Sequence, residues 1–382
     1  MTKVWRMGVL FGAALVSAWA WSAGASPPPG LTGKPREPWV AAIVVERESG
    51  RVLFEDNADL PWPPASMAKM MTVLVALDAV DESKISLDDP VRVSRRAASM
   101  GGSQVFLAEG EVFPLKDLLE ATMVPSANDA AMAVAEHVGG SAEAFIERMN
   151  DKSQQLGLGN TRFHTVHGLP PGPGQEPDLM SARDLAAVAR ALLAYPSARK
   201  WASTSEAGFR GGAFHMRNTN RLLRTMPGAY GVKTGFTAAA GFELTAAGER
   251  DGLDLVAVVL GVPRKGASFE RARELLERGF REWVSVHPIE AGSAVGTRVP
   301  VAGGSHGIVR GQAVRDVHLL LPRDQARALS IEVKLPGEIE APVSRGQQIG
   351  EVVVRRGDET LAAVPVVADR DVERVGWLAR FW

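Results

Sequence analysis

Three short motifs hold the residue types that acyl transfer onto a hydroxyl requires. Ser66-Met67-Ala68-Lys69 sets a serine and a lysine three residues apart, which on a helix is one turn along the same face. A serine hydroxyl is a poor nucleophile until a base takes its proton. A lysine in apolar surroundings has its pKa lowered by desolvation and can be that base. Amides at a helix N-terminus favour the negative charge that develops on an attacked carbonyl. Alone, the tetrad reads equally well as a helix cap followed by a snorkelling surface lysine, and a second copy stands at Ser197-Ala198-Arg199-Lys200. Ser126-Ala127-Asn128 adds a hydroxyl and an amide where a loop enters a helix. Lys233-Thr234-Gly235 adds a cation and a hydroxyl on a strand, next to a glycine that lets a ligand backbone approach. Each again has a plainer reading, Ser126 as a cap and Lys233 as a solvated strand lysine.

The elements around these motifs separate the readings. Pro61 to Pro64 break the chain just ahead of Ser66. Residues 66–80 are then apolar except for Lys69, Thr72 and Asp78. A helix apolar nearly all round belongs inside a core, so Lys69 is expected to be buried. Helical spacing continues over 115–123, 127–138, 142–156 and 181–193. Strand character marks 39–46 and 51–55, then 231–237, 242–247 and 253–262, before an amphipathic helix over 269–283. Residues 170–177 are a Pro- and Gly-rich loop. A sheet with a helical block in one unit predicts an α+β domain over 38–287. Beyond it, short alternating stretches at 297–301, 317–321, 329–334, 350–355 and 361–367 predict a small all-β sandwich over 288–369.

The ends and the composition bound the setting. Lys3 and Arg6, the uncharged run 8–21 and Ala23-Gly24-Ala25 read as a secretory signal over 1–25, with an uncleaved N-terminal anchor as the alternative. A Pro-rich linker follows over 26–37. Val372, Val375, Leu378, Ala379 and Trp382 share one side of a helical wheel, so 370–382 reads as an amphipathic helix for a membrane surface, or as a tail packed on its own domain. The 382 residues contain no cysteine, which excludes disulfides, a thiol nucleophile and a lipid acceptor. With 43 basic and 44 acidic residues and no long run of either sign, no nucleic-acid partner is expected. No metal or other cofactor is expected either: His164 and His167 form the one short histidine pair, and they read as structural.

S-x-x-K, S-x-N and K-T-G in this order are a known signature of penicillin-binding proteins and β-lactamases. Over residues 38–370 the chain resembles the low-molecular-mass penicillin-binding proteins that act as D-alanyl-D-alanine carboxypeptidases. The likeness extends to Pro64-Ala65-Ser66, Gly102-Ser103, Gly157 to Thr161, His167-Gly168-Leu169, Ser181-Ala182-Arg183-Asp184, Asn218-Thr219-Asn220, Ala341-Pro342-Val343, Gly346-Gln347 and Gly350.

The resemblance implies a transpeptidase-like domain, an antiparallel sheet with a helical cluster, ahead of the β-rich one. It implies that Ser66 is acylated by the penultimate D-alanine of a peptidoglycan stem peptide, with Lys69 as its base. Ser126 would relay a proton to the leaving amine, and Asn128 would hold the substrate amide beside Lys69. Lys233 and Thr234 of the K-T-G, which ends at Gly235, would bind the terminal carboxylate. The N–H groups of Ser66 and Phe236 would form the oxyanion hole. β-Lactams would be covalent inhibitors, and the enzyme would work outside the cytoplasm. Three departures stand out. Phe236 replaces a histidine of some relatives, Ser268 replaces an arginine with Arg271 and Arg273 nearby, and the 170–177 loop is long. A class A β-lactamase would bring a dedicated glutamate in an E-x-x-L-N context, which is not found. An idle scaffold would not need the intact triad.

Overall fold

Residues 41–45 and 255–260 are runs of Ala, Val, Ile and Leu, buried along their whole length, as strands covered on both faces must be. The computed structural model describes residue 36 and residues 38–376. Five antiparallel strands lie in the order Val52–Asp56, Ala41–Glu46, Leu253–Val262, Gly241–Arg250, Ala229–Thr237. Alternation along the strands divides the core. Ala42 and Val44 face one side and pack with Leu275, Leu276 and Phe280 of the helix Ala267–Glu282. Ile43 and Val45 face the other side, toward the main helical cluster.

At the centre of that cluster lies the helix Lys69–Asp81. Leu115–Met123, Asn128–Gly139, Ala142–Gln155 and Ala182–Leu193 surround it. Met70, Met71, Val73, Leu74 and Leu77 are all buried there, each adding roughly 1.5–3 kcal/mol of transfer free energy. The helix expected from 66 begins instead as a 3₁₀ turn, Ala65–Ala68, and Ser66 caps neither element.

The second domain is all β. A six-stranded sheet runs Leu329–Lys334, Gln348–Arg356, Glu359–Ala368, Ile308–Ala313, Ala294–Ala302, Ile339–Glu340. A two-stranded sheet pairs Trp283–Ile289 with Val317–Pro322. The boundary expected at 287/288 therefore falls inside a strand, and Ile308–Ala313 is a strand that was not expected.

The first residues of the tail follow the alternative reading, packed on their own domain. Val372 is buried in the second core, bridges to Val343, and is followed by Arg374, whose Nε donates to the Ala341 carbonyl at 2.8 Å. An apolar side chain already filling the β core cannot also face a lipid surface, so no helix starts at 372. The expected signal segment, the linker but for Arg36, and the tail from 377 on lie outside the described residues. No described helix is long and apolar enough to cross a membrane.

Candidate active site

Lys69 is the first residue of the central helix and is completely buried. An isolated ammonium there would cost several kcal/mol, so burial pushes its pKa well below the usual lysine value. The neighbouring Lys233 charge pushes it further, and Asp178 and Asp129 oppose the shift. The Lys69 Nζ donates to the His167 carbonyl at 2.8 Å and lies 2.9 Å from Ser66 Oγ. In that second contact a neutral amine can accept the hydroxyl proton.

Close approach of two backbone segments makes this possible. A Cβ on Gly168 would fall 1.7 Å from the Ala65 carbonyl oxygen, and Gly168 has φ +76°. Only glycine lets the 164–168 loop lie against the turn that carries Ser66. Asp178 fixes the same loop by accepting from the N–H groups of His164 and Thr165 and from Thr165 Oγ1. His167 itself, buried and beside Lys69, is held down to about 3, so its ring stays neutral and brings no charge to the site at working pH.

The other two motifs meet the first. Ser126, at φ +69° just ahead of the helix Asn128–Gly139, accepts from Lys233 Nζ at 2.7 Å. Lys233 is 1% exposed on the edge strand, and burial lowers its pKa to about 7. Thr234 Oγ1 lies 2.7 Å from Thr219 Oγ1, within the Asn218-Thr219-Asn220 segment.

Gly235 sits where no side chain fits. A Cβ there would meet Glu243 Oε2 at 2.8 Å, the Pro64 carbonyl at 3.0 Å and Ala65 Cβ at 3.2 Å. Its missing side chain admits the nucleophile turn against the strand. Phe236, next in line, is 56% exposed and stacks on Phe242 at 4.3 Å.

Asn128 Nδ2 donates to the Gly101 carbonyl at 2.7 Å, while Lys69 bonds to Ser66 and His167. The Asn128 Oδ1 is buried with no protein partner, an acceptor that a substrate N–H would satisfy. Asp129 accepts from the N–H groups of Val105 and Leu107, pinning the 101–107 loop beside Asn128.

The arrangement is a serine activated by a desolvated lysine, with a second serine–lysine pair next to it. A model of the family described as D-alanyl-D-alanine carboxypeptidase matches residues 35–264, and one for the penicillin-binding protein 5 C-terminal domain matches 283–374. The chain belongs to the D-alanyl-D-alanine carboxypeptidase family of serine-type peptidases. Within this family it is 35% identical to the D-alanyl-D-alanine carboxypeptidase DacF of Bacillus subtilis (strain 168), over 88% of this chain and 87% of that one. It is 34% identical to DacC of Escherichia coli (strain K12), over 90% and 86%. Penicillin binding protein 5 from Haemophilus influenzae superposes with a TM-score of 0.67 at 30% identity, covering 92% of this chain and all of that one. This family membership agrees with the α+β domain followed by a β domain.

Several motif residues of the family prove to be structural here. Ser181 caps its helix by accepting from the Asp184 N–H, and Asp184 accepts from Asn160 N and Thr161 Oγ1. Arg183 forks onto Asp59 and reaches Glu55. Residue-type reasoning missed two neighbours of the site. The His167 carbonyl acts through backbone alone and leaves no trace in side-chain chemistry. Glu243, 1% exposed with both carboxylate oxygens unpartnered, faces Gly235 across the strands. Its one signal was a carboxylate set between Phe242 and Leu244 in a strand.

Proposed function

We propose that this chain is a serine-type D-alanyl-D-alanine carboxypeptidase that removes the terminal D-alanine from peptidoglycan stem peptides. Ser66 Oγ attacks the carbonyl carbon of the penultimate D-alanine while Lys69 Nζ takes its proton. The oxyanion is held by the N–H groups of Ser66 and Phe236. Ser126, bonded to Lys233, passes a proton to the departing amine, and Asn128 Oδ1 accepts from the substrate amide. Lys233 and Thr234 hold the terminal carboxylate, and water then releases the acyl group from Ser66. A β-lactam enters by the same attack and stays as the acyl-enzyme, which agrees with the ampicillin-bound penicillin-binding protein D2 of Listeria monocytogenes among similar structures. Export by residues 1–25 to the periplasm or the outer face of the cytoplasmic membrane, and a role in wall remodelling, complete the proposal.

The observation that carries this reading is the 2.9 Å contact between Ser66 Oγ and a lysine withdrawn from water. The carboxylate role is tested with Lys233→Ala on two substrates. Removing a buried charge partner costs about 2 kcal/mol or more, so kcat/KM for a free-carboxylate peptide should fall ~30-fold or more beyond the loss on an uncharged thioester. Equal losses on both would move Lys233 out of substrate recognition.

A further inference from the structure

In the two-stranded sheet that opens the second domain, three side chains converge that the peptidase reaction does not use. His287 lies on Trp283–Ile289, and His318 lies on its partner strand Val317–Pro322, two residues after Asp316. The register runs Val286 opposite Leu319 and then Ile289 opposite Val317. Two residues, His287 and Pro288, thus stand against His318 alone. That bulge re-aims His287 so that its ring stacks on His318, with centroids 3.8 Å apart and planes at 22°.

We propose that His287, Asp316 and His318 bind one divalent transition-metal ion of the zinc type. Two imidazoles and one carboxylate are the donor set such ions take, whereas calcium and magnesium favour oxygen alone. One ligand atom from each residue can be chosen so that all lie within 4.8 Å of one another. His287 Nε2 and Asp316 Oδ1 are already 3.3 Å apart. Donors about 2.0–2.1 Å from a tetrahedral ion are separated by roughly 3.3–3.4 Å, so that pair already spans one edge. The exposed rings need only turn to close the remainder. The Ala291 N–H donates to Asp316 Oδ1 at 2.9 Å and orients the carboxylate, as outer-shell bonds do at metal sites. Three protein ligands leave the fourth position to water.

The ion would clamp the strand pair that joins the domains. Arg51 of the first domain donates to the Leu320 carbonyl of this pair and sits 4.8 Å above the Trp283 ring. Metal binding to the folded form alone stabilises it by mass action.

The test uses untagged full-length protein stripped with EDTA and titrated with zinc by calorimetry, with melting followed in parallel. One zinc should bind per chain and raise the melting temperature by a few degrees. His318→Ala and Asp316→Asn should lose both effects while their rate of acylation by penicillin stays at the wild-type value, which shows that they are folded. Cobalt substitution should give the visible bands of a four-coordinate ion in wild type only. Absence of stoichiometric binding, or binding that persists in His287→Ala/His318→Ala, would overturn the assignment.

Discussion

At Glu243 the fold holds a carboxyl where water does not reach, one strand away from the nucleophile turn. Burial raises its pKa well above the ordinary 4.5, which favours the neutral acid in the folded protein. The sign of the linkage follows from proton counts. Above pH 4.5 the unfolded chain loses this proton and the native state keeps it. Stability therefore falls as pH rises from the ordinary value toward the native one, by roughly 1 kcal/mol per pH unit. Glu243→Gln, which cannot ionise, should melt close to wild type near pH 4 and clearly above it at pH 8. A gap between the two proteins that does not change with pH would mean that Glu243 is not a neutral buried acid. Lys69 obeys the same physics with the opposite charge, since the desolvation that would expel an ammonium is what leaves an amine able to take the Ser66 proton.

Between elements, the decisive feature is the contact of the 164–168 loop with the Ala65–Ala68 turn. Gly168→Ala would drive a methyl into the Ala65 carbonyl and displace either Ser66 or the His167 oxygen that orients Lys69. A shift near 1 Å at a reacting centre can cost about 10²-fold, and acylation by penicillin should slow by that order. Gly157→Ala is the control, with a similar φ of +69° but open space around it, and it should acylate normally. Wild-type acylation by Gly168→Ala would show that the close approach is incidental. Most elements could be read from sequence because apolar periodicity is a local property. The central helix, the helix Leu115–Met123 and the strand Leu253–Val262 fell close to their expected bounds. Context also ranked the two S-x-x-K copies, since Lys69 is buried whereas Lys200 is exposed on the helix Pro196–Ser203. What could not be read depends on register and on long-range contact. That Gly235 opposes Glu243, that Asn128 turns to Gly101, and that a bulge pairs His287 with His318 each follow from how distant strands and loops meet.

For the molecule as a whole, the two domains are tied by backbone-directed arginines. Arg51 reaches the Leu320 carbonyl, and Arg323 reaches the carbonyls of Phe280 and Arg281. Burial of Val372 and the Arg374 bond to Ala341 make 371–376 part of the second domain, so the tail anchor expected over 370–382 narrows to 377–382. Truncation after Gly376 should keep turnover and melting temperature while releasing the enzyme from membrane fractions. Unchanged partitioning, or lost stability, would make the tail structural. Activation of Ser66 for acyl transfer is checked by mass mapping of the penicillin-treated protein. A single penicilloyl adduct is expected on the peptide bearing Ser66, absent from a Ser66→Ala variant that melts like wild type. An adduct on any other residue, or acylation of Ser66→Ala, would contradict it.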